Sequence, residues 1–526
     1  MNLTLLTALV DPAHFRYAVQ SKIYAQQPAI AFVTARGDCG TRKSACRCIP
    51  GIIACQSAGA SVSALELGIL PPRLIDSYTN ASFALEGQDM CQGGTLLIVA
   101  DILRGHLLSF NASCLACGPL HVLKLSTNSG LHVRLFNAAG AAGVASTAGA
   151  ALRRAAPLHA SAATARDFGC SGHAPNGGGL FAIVSTGWAS VQRVPPTASG
   201  GVGGEGEGEG EGEGEGEGEG TLQLIAGGLL AVEVDPSGRM TEVASLTAPR
   251  SEVTSSKTPS QGVPAEAEGV PRGTEGVLVL GQYAYVGGFW DTHLAQVDLS
   301  GLVTARVAAK GRIDNNSGGS TAAAAAAAMP AMRVAGVWRD AAYVQLVGAL
   351  IGRETQGEAA YVGSEGVLGA EGVLGAEGGS HFALSLWGEP GGLATFRVSG
   401  TPKASAPPLV RELGRLVLPE LGRANRVHVH GDLAWLPLEQ SPAGGVAAIN
   451  ISDLAQPVLA VGPVALPTTA LPTRRDASAT ARRDEDEEWH DGSMLGGTKS
   501  YCVAAFADRV YAFAAPSATL FVYRVG

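Results

Sequence analysis

The stretch Gly445-Val446-Ala447-Ala448-Ile449-Asn450-Ile451 is an apolar run closed by an apolar, polar, apolar triplet. The same closing triplet recurs as Leu65-Glu66-Leu67, Phe110-Asn111-Ala112, Val232-Glu233-Val234, Val297-Asp298-Leu299, Phe396-Arg397-Val398 and Tyr523-Arg524-Val525. A β unit of this kind cannot bury its apolar face alone, and copies arranged radially give a propeller. The repeat count predicts an all-β fold, a seven-bladed β-propeller in one domain spanning residues 1–526.

Each triplet reads as the third strand of a blade. A second strand is predicted upstream at Ile30 to Val33, Leu96 to Val99, Leu180 to Val184, Tyr283 to Val286, Tyr343 to Leu346, Leu433 to Leu436 and Val510 to Phe513. First strands precede tight turns at Val277 to Leu280, Val427 to His430 and Cys502 to Phe506, where Gly or Asp supplies the backbone angles a short hairpin demands. Fourth strands read as Leu120 to Leu125, Met240 to Leu246, Val303 to Ala308, Leu409 to Leu413 and Val458 to Val461. The last blade lacks one, because the chain stops just after a third strand, while Leu3 to Val10 is an apolar run without a hairpin partner. The N-terminal run is therefore expected to supply the missing outer strand and close the ring, which removes exposed sheet edges.

The segment Gly431-Asp432-Leu433-Ala434-Trp435, continuing through Gly445 to Ile451-Ser452-Asp453 and on to Pro457-Val458-Leu459, resembles an LVIVD repeat. Its hallmark is an apolar strand ending in Val-Asp-Ile-Ser-Asp-Pro and followed by Pro-Val. Val297-Asp298-Leu299-Ser300 is similar, while Asn450 stands where the repeat has Asp and Leu454 where it has Pro. The resemblance covers one blade well and three more in part. It implies a propeller, often of a surface or secreted protein, and brings no catalytic motif with it.

A net charge of -9 without a basic stripe argues against nucleic acid or an anionic membrane as partner. No apolar run approaches the ~20 residues of a membrane span. Met1 to Val10 lacks a basic leader and a small-residue cleavage site, so it does not read as a signal peptide. Nine Cys, eight of them between Cys39 and Cys170, and sequons at Asn2, Asn80, Asn111, Asn315 and Asn450 lean instead towards an oxidising, secretory or extracellular setting and a glycoprotein. Asn111 and Asn450 fall inside predicted strands, where a glycan has little room. A monomer is expected.

Long connections separate the blades. Cys39 to Gln56, Ser126 to Pro157 and the low-complexity insertions at about 195–220, 248–273, 310–330, 348–380 and 462–499 are all expected on one face, leaving the other bare. The Glu-Gly alternation from Glu205 to Gly220 cannot bury apolar area against its chain entropy and is expected to be disordered.

Three constellations could carry chemistry. Cys114-x-x-Cys117 and Cys170-x-x-His173 are placed on the bare face in hairpins of neighbouring blades; they read as a structural zinc site, as disulfides or as unlinked thiols. Cys39, Cys46, Cys48 and Cys55 have the symmetrical spacing C-x6-C-x-C-x6-C, which favours two disulfides over a metal clip. His428 and His430 alternate on a first strand and share a face near the channel; with Asp291 and His293 they could form a metal or acid/base site at the channel mouth. Phosphate loops, dinucleotide fingerprints, His-Glu-x-x-His and Gly-x-Ser-x-Gly are absent. The Trp residues at 188, 290, 338, 387 and 435 fit blade packing.

The expected function is a non-catalytic binding or scaffolding propeller that holds a protein or small ligand on a face, with no resident cofactor beyond the zinc alternative. The competing expectation is a metal-dependent, lactonase-like hydrolase using His428, His430, Asp291 and His293.

Overall fold

The computed structural model of the chain describes residues 1–24, 29–37, 59–90, 95–102, 104–127, 130–137, 179–186, 191–194, 221–224, 227–247, 269–271, 274–280, 282–288, 293–302, 332–339, 348–353, 360–361, 380–386, 390–399, 409–424, 426–439, 444–467, 500–514 and 517–526. Strand β1 (Leu3–Val10) and a single helical turn α1 (Pro12–Phe15) lead into blade 1, formed by β2 (Ala18–Tyr24), β3 (Ile30–Ala35), β4 (Ala60–Glu66) and β5 (Arg73–Asn80). Blade 2 comprises β6 (Leu85–Met90), β7 (Leu96–Asp101), β8 (His106–Asn111) and β9 (Pro119–Lys124). In blade 3, β10 (Val133–Asn137) and β11 (Leu180–Ser185) are followed by a separate ribbon, β12 (Val191–Val194) with β13 (Thr221–Leu224), before β14 (Gly228–Val234) and β15 (Met240–Thr247) complete the sheet. Blade 4 is β16 (Thr274–Leu280), β17 (Tyr283–Gly288), β18 (His293–Asp298) and β19 (Arg333–Arg339). Blade 5 is β20 (Gly348–Arg353) with the short β21 (Ala360–Tyr361), then β22 (Ser380–Leu386), β23 (Gly391–Ser399) and β24 (Leu409–Leu418). Blade 6 is β25 (His428–His430), β26 (Leu433–Leu438), β27 (Gly445–Asn450) and β28 (Val458–Val464). Blade 7 is β29 (Ser500–Phe506), β30 (Arg509–Ala514) and β31 (Thr519–Val525), with β1 as its outer strand.

These seven antiparallel sheets form a ring, a seven-bladed β-propeller. All seven triplets end third strands. Closure is as expected: β1 pairs antiparallel with β31 from Leu3 opposite Val525 to Val10 opposite Thr519, and Asn2 and Gly526 exchange backbone hydrogen bonds of 3.3 and 3.0 Å.

The core lies between the blades. One apolar cluster joins each neighbouring pair in turn, from Val33 with Phe513 between blades 1 and 7, through Phe32 with Phe110, Ile98 with Val184, and Phe181 with Val286, to Val446 with Phe521 between blades 6 and 7. Between blades 4 and 5, Tyr285 packs on Phe382 at 5.4 Å between ring centroids, and Phe382 stacks on Phe396 at 5.1 Å. Each large side chain so buried contributes roughly 1.5–3 kcal/mol. Middle strands are covered on both faces, so β3, β7, β11 and β17 are buried at every residue, whereas the outer β9 alternates between partly buried and exposed.

The polar residue of the triplet has a definite task. Asn111, Asp298 and Asn450 each use Oδ1 to accept the backbone N–H two residues on, at 3.0, 2.9 and 2.9 Å, which turns the chain into the next hairpin. An Asn makes this bond as well as an Asp, so Asn450 keeps the turn.

Three expectations are corrected. The second strand of blade 5 is β22, not Tyr343 to Leu346, which lies outside the described residues, and the span 348–380 contains strands β20 and β21 as well as insertion. The fourth strand of blade 4 is β19, not Val303 to Ala308, which also lies outside them. The first strand of blade 3, β10, sits inside the span expected to be one connection, Ser126 to Pro157. A β-branched or alternating segment near the right spacing misled the first two assignments, because in a repeat fold only pairing with the neighbouring strand fixes register. Consequently both faces carry long connections. Residues 38–58, 195–220, 248–268 and 468–499 leave from strand ends on one face, whereas 138–178, 303–331 and 362–379 join first to second or third to fourth strands and leave from the other.

Candidate functional site

The innermost strands converge on the channel, and several carry polar side chains: Gln20-Ser21-Lys22 on β2, Glu86-Gly87-Gln88-Asp89 on β6, His132 and Arg134 at β10, and Arg426 and His428 at β25. Nearly all are buried, Glu86 at 2 % and Arg426 at 7 % exposure. A buried charge is tolerated when paired. Glu86 meets two guanidiniums: Oε2 accepts from Arg36 Nε, and Oε1 accepts from Arg426 Nη2 at 2.5 Å. Arg426 also donates through Nη1 to the Val19 carbonyl. Asp89 pairs with Lys22 and accepts the Leu135 backbone N–H at 2.8 Å. Gln20 and Gln88 bond reciprocally, Oε1 of the first accepting the backbone N–H of the second at 2.9 Å. Blade 2 is thereby stitched to blades 1, 3 and 6 across the channel.

The strands approach closely to make these bonds. A Cβ on Gly87 would fall 2.3 Å from the Leu131 carbonyl oxygen and 2.6 Å from His132 Cα, so the position admits only glycine. His132 is neutral: burial holds its imidazole well below the ordinary range, and Arg426, Arg134 and Arg36 add repulsion. Arg426 Nη2 can only donate, so His132 Nε2, 3.4 Å away, accepts and Nδ1 carries the proton. That N–H is buried without a partner, as is Arg426 Nε–H. Beside them, burial pushes the free Cys502 thiol up to about 12. A cavity of about 10 Å³, room for roughly one water, lies between the inner strands of blades 1, 6 and 7 against Gln20, Ser21, Arg426, His428 and Cys502.

The residues expected to form a site are distributed differently. His428 Nε2 donates to the Ala505 carbonyl of β29 at 3.2 Å, and His430 bonds the Ala507 backbone, so both share a face as expected but use it to join blade 6 to blade 7. Burial, with repulsion from His430, lowers His428 to about 4. His293 Nε2 bonds the Gly269 carbonyl at 3.1 Å on blade 4. Asp291 lies outside the described residues, and among the described residues no three of His, Cys, Asp and Glu gather to hold a metal ion.

Cys114 and Cys117 are joined as a disulfide, Cα to Cα 5.4 Å, in a 3-10 turn whose Leu115 and Ala116 N–H groups donate to Asp76 of blade 1 at 2.5 and 3.1 Å. A disulfide has no thiolate to offer a metal, so the zinc reading of this pair applies only to the reduced chain. Cys170, His173, Cys39, Cys46, Cys48 and Cys55 lie outside the described residues, as do Trp188, Trp290 and Trp387. Trp435, 1 % exposed, packs between blades 6 and 7, and Trp338 packs edge-on against Phe396 of blade 5.

Sequence reasoning missed the Glu86, Arg426, Lys22 and Asp89 network. Its signal was present: short polar runs at the first strands of blades 1, 2, 3 and 6, in a chain where charged residues are only 16 % of the total.

No family model matches the chain, and no curated protein matches it. Among solved structures it is similar to the β-propeller domain of Myceliophteria thermophila Cps50 (Swd1), with 8 % identity over 100 % of both chains and a TM-score of 0.46. It is also similar to the Pseudomonas aeruginosa periplasmic gluconolactonase PpgL, with 11 % identity over 85 % of this chain and 86 % of that one and a TM-score of 0.41. Saccharomyces cerevisiae Sqt1 gives 9 % identity over 100 % of both chains and a TM-score of 0.39. Likeness at this level carries no argument about function. Among the described residues no helix is long and apolar enough to cross a membrane.

Proposed function

We propose that the chain is a binding or scaffolding propeller that presents its faces to a protein partner. The observation that carries this reading is the channel itself: Glu86, Arg36, Arg426, Lys22 and Asp89 satisfy one another across it, and the cavity beside Arg426 holds about 10 Å³, far less than the ~300 Å³ of a small-ligand pocket. Buried charges tied to each other are unavailable to a substrate, so recognition falls to the strand ends and connections on the two faces. The LVIVD-like sixth blade, which implies no catalytic motif, is in keeping with it. The test is metal content and lactone hydrolysis of the purified full chain before and after chelation. Substoichiometric metal, no turnover and unchanged thermal stability are expected; stoichiometric metal whose removal abolishes lactone hydrolysis would overturn the reading in favour of a hydrolase.

A further inference from the structure

We propose that the small cavity between the inner strands of blades 1, 6 and 7 is a site for one monatomic anion of the halide class, held by the Arg426 Nε–H and the Ser21 hydroxyl. Arg426 and Ser21 both line the cavity; the Arg426 Nε–H is buried without a hydrogen-bond partner, and the buried Ser21 hydroxyl has only the weakly bonding Cys502 thiol beside it. Arg426 is 7 % exposed and Ser21 5 % exposed. A buried donor left unpaired costs about 1–3 kcal/mol, more when charged, so the guanidinium Nε–H beside a weakly bonded hydroxyl on one cavity marks a missing acceptor.

Three further features favour an anion over a neutral guest. Both Nη nitrogens of Arg426 are engaged, by the Val19 carbonyl, Glu86 and His132, which leaves the Nε–H without an acceptor. Glu86 divides its charge between two guanidiniums, Arg36 and Arg426. The Cys502 thiol, which also lines the cavity, stays protonated through burial and adds a weak donor. A volume of about 10 Å³ excludes carboxylates and phosphates and admits a water-sized ion. The bound ion would join blades 1, 6 and 7 where the ring closes, so occupancy should read out as stability of the whole chain. This inference does not depend on the partner-binding reading above.

The test is thermal unfolding of the full chain in sodium chloride, sodium bromide and sodium gluconate at equal ionic strength, together with the ³⁵Cl line width of the folded protein. Raising chloride or bromide from 1 to 100 mM should raise Tm by about 2 °C or more, by binding to the native state alone, and should broaden the ³⁵Cl signal, whereas gluconate does neither. Ser21→Ala, which removes one donor and little volume, should weaken the halide midpoint about tenfold, and Arg426→Lys, which keeps the charge but lacks Nε–H, should abolish the effect. Equal melting in all three salts with no ³⁵Cl broadening would show that the cavity holds water and overturn the proposal. A halide effect that survives unchanged in Ser21→Ala would overturn it too, independently of whether Arg426→Lys folds.

Discussion

In blade 2 the second strand is apolar from Leu96 to Ala100 and buried throughout, whereas the first strand, one ladder inward, reads Leu85-Glu86-Gly87-Gln88-Asp89 and is buried just as deeply. The same contrast holds in blade 6 between Leu433 to Leu438 and the flanking Arg426 and His428. Middle strands are sandwiched between neighbouring blades and need only shape and hydrophobicity. Inner strands face one another over a narrow channel, where side chains from several blades must fill space and also cancel charge. Apolar clusters hold each blade to its neighbours; the ion pairs and hydrogen bond of Glu86 and Asp89 tie blade 2 to blades 1, 3 and 6, the last of which is not its neighbour around the ring.

The contrast breaks most visibly at Glu86. Glu86→Ala should destabilise the chain by about 3–5 kcal/mol in denaturant unfolding, because it takes the carboxylate from the buried Arg426 and breaks the pair with the half-buried Arg36. Adding Arg36→Met and Arg426→Met should recover much of that loss, since a buried ion cluster replaced by apolar groups is often neutral. A loss below about 1 kcal/mol for Glu86→Ala would place the triad in the class of solvent-screened surface pairs.

A smaller effect is expected from the histidine on the inner strand of blade 6. His428 titrates at about 4 in the folded chain against an ordinary 6.5, chiefly through burial. Its folded value is depressed, so the neutral form belongs to the native state: the contribution is fully present above 6.5 and is lost as pH falls through 4. The difference corresponds to about 3 kcal/mol. Stability measured from pH 7 down to pH 4 should therefore fall, and His428→Gln, which retains a donor for the Ala505 carbonyl, should flatten that slope. An unchanged slope in the variant would assign the acid loss to other groups, His132 first among them.

The same division explains what the sequence revealed. The seven triplets and six of the seven second strands were legible because sandwiched strands leave a continuous apolar run ended by a turn-forming residue, as Ile449-Asn450-Ile451 does. Ring closure was legible as an apolar N-terminal run matched to a missing strand. First strands of blades 2 and 3 were not, since Glu86 to Asp89 and His132 to Arg134 look like surface loop until their partners from other blades are known. The fourth strand of blade 4 was misplaced because an outer strand, half exposed, carries a weak pattern, and Val303 to Ala308 imitates it. Of the candidate site, the shared face of His428 and His430 was readable from alternation, but its use as a clamp on Ala505 and Ala507 depends on a strand more than 70 residues away.

The smallest expected effect sharpens the comparison from the middle-strand side. Ile449 is fully buried on β27 within the cluster between blades 5 and 6, among Ala383, Leu393, Leu436 and Ala447. Ile449→Val removes one methyl group from this contact and leaves no polar group unpaired, so the loss should be about 0.5–1.5 kcal/mol, the transfer cost plus a small cavity. Read by the same denaturant unfolding, this value should stay well under that of Glu86→Ala. Equal losses would mean that the apolar seams are packed too rigidly to relax around a missing methyl, and that blade-to-blade contact, rather than the charged channel, governs the integrity of the ring.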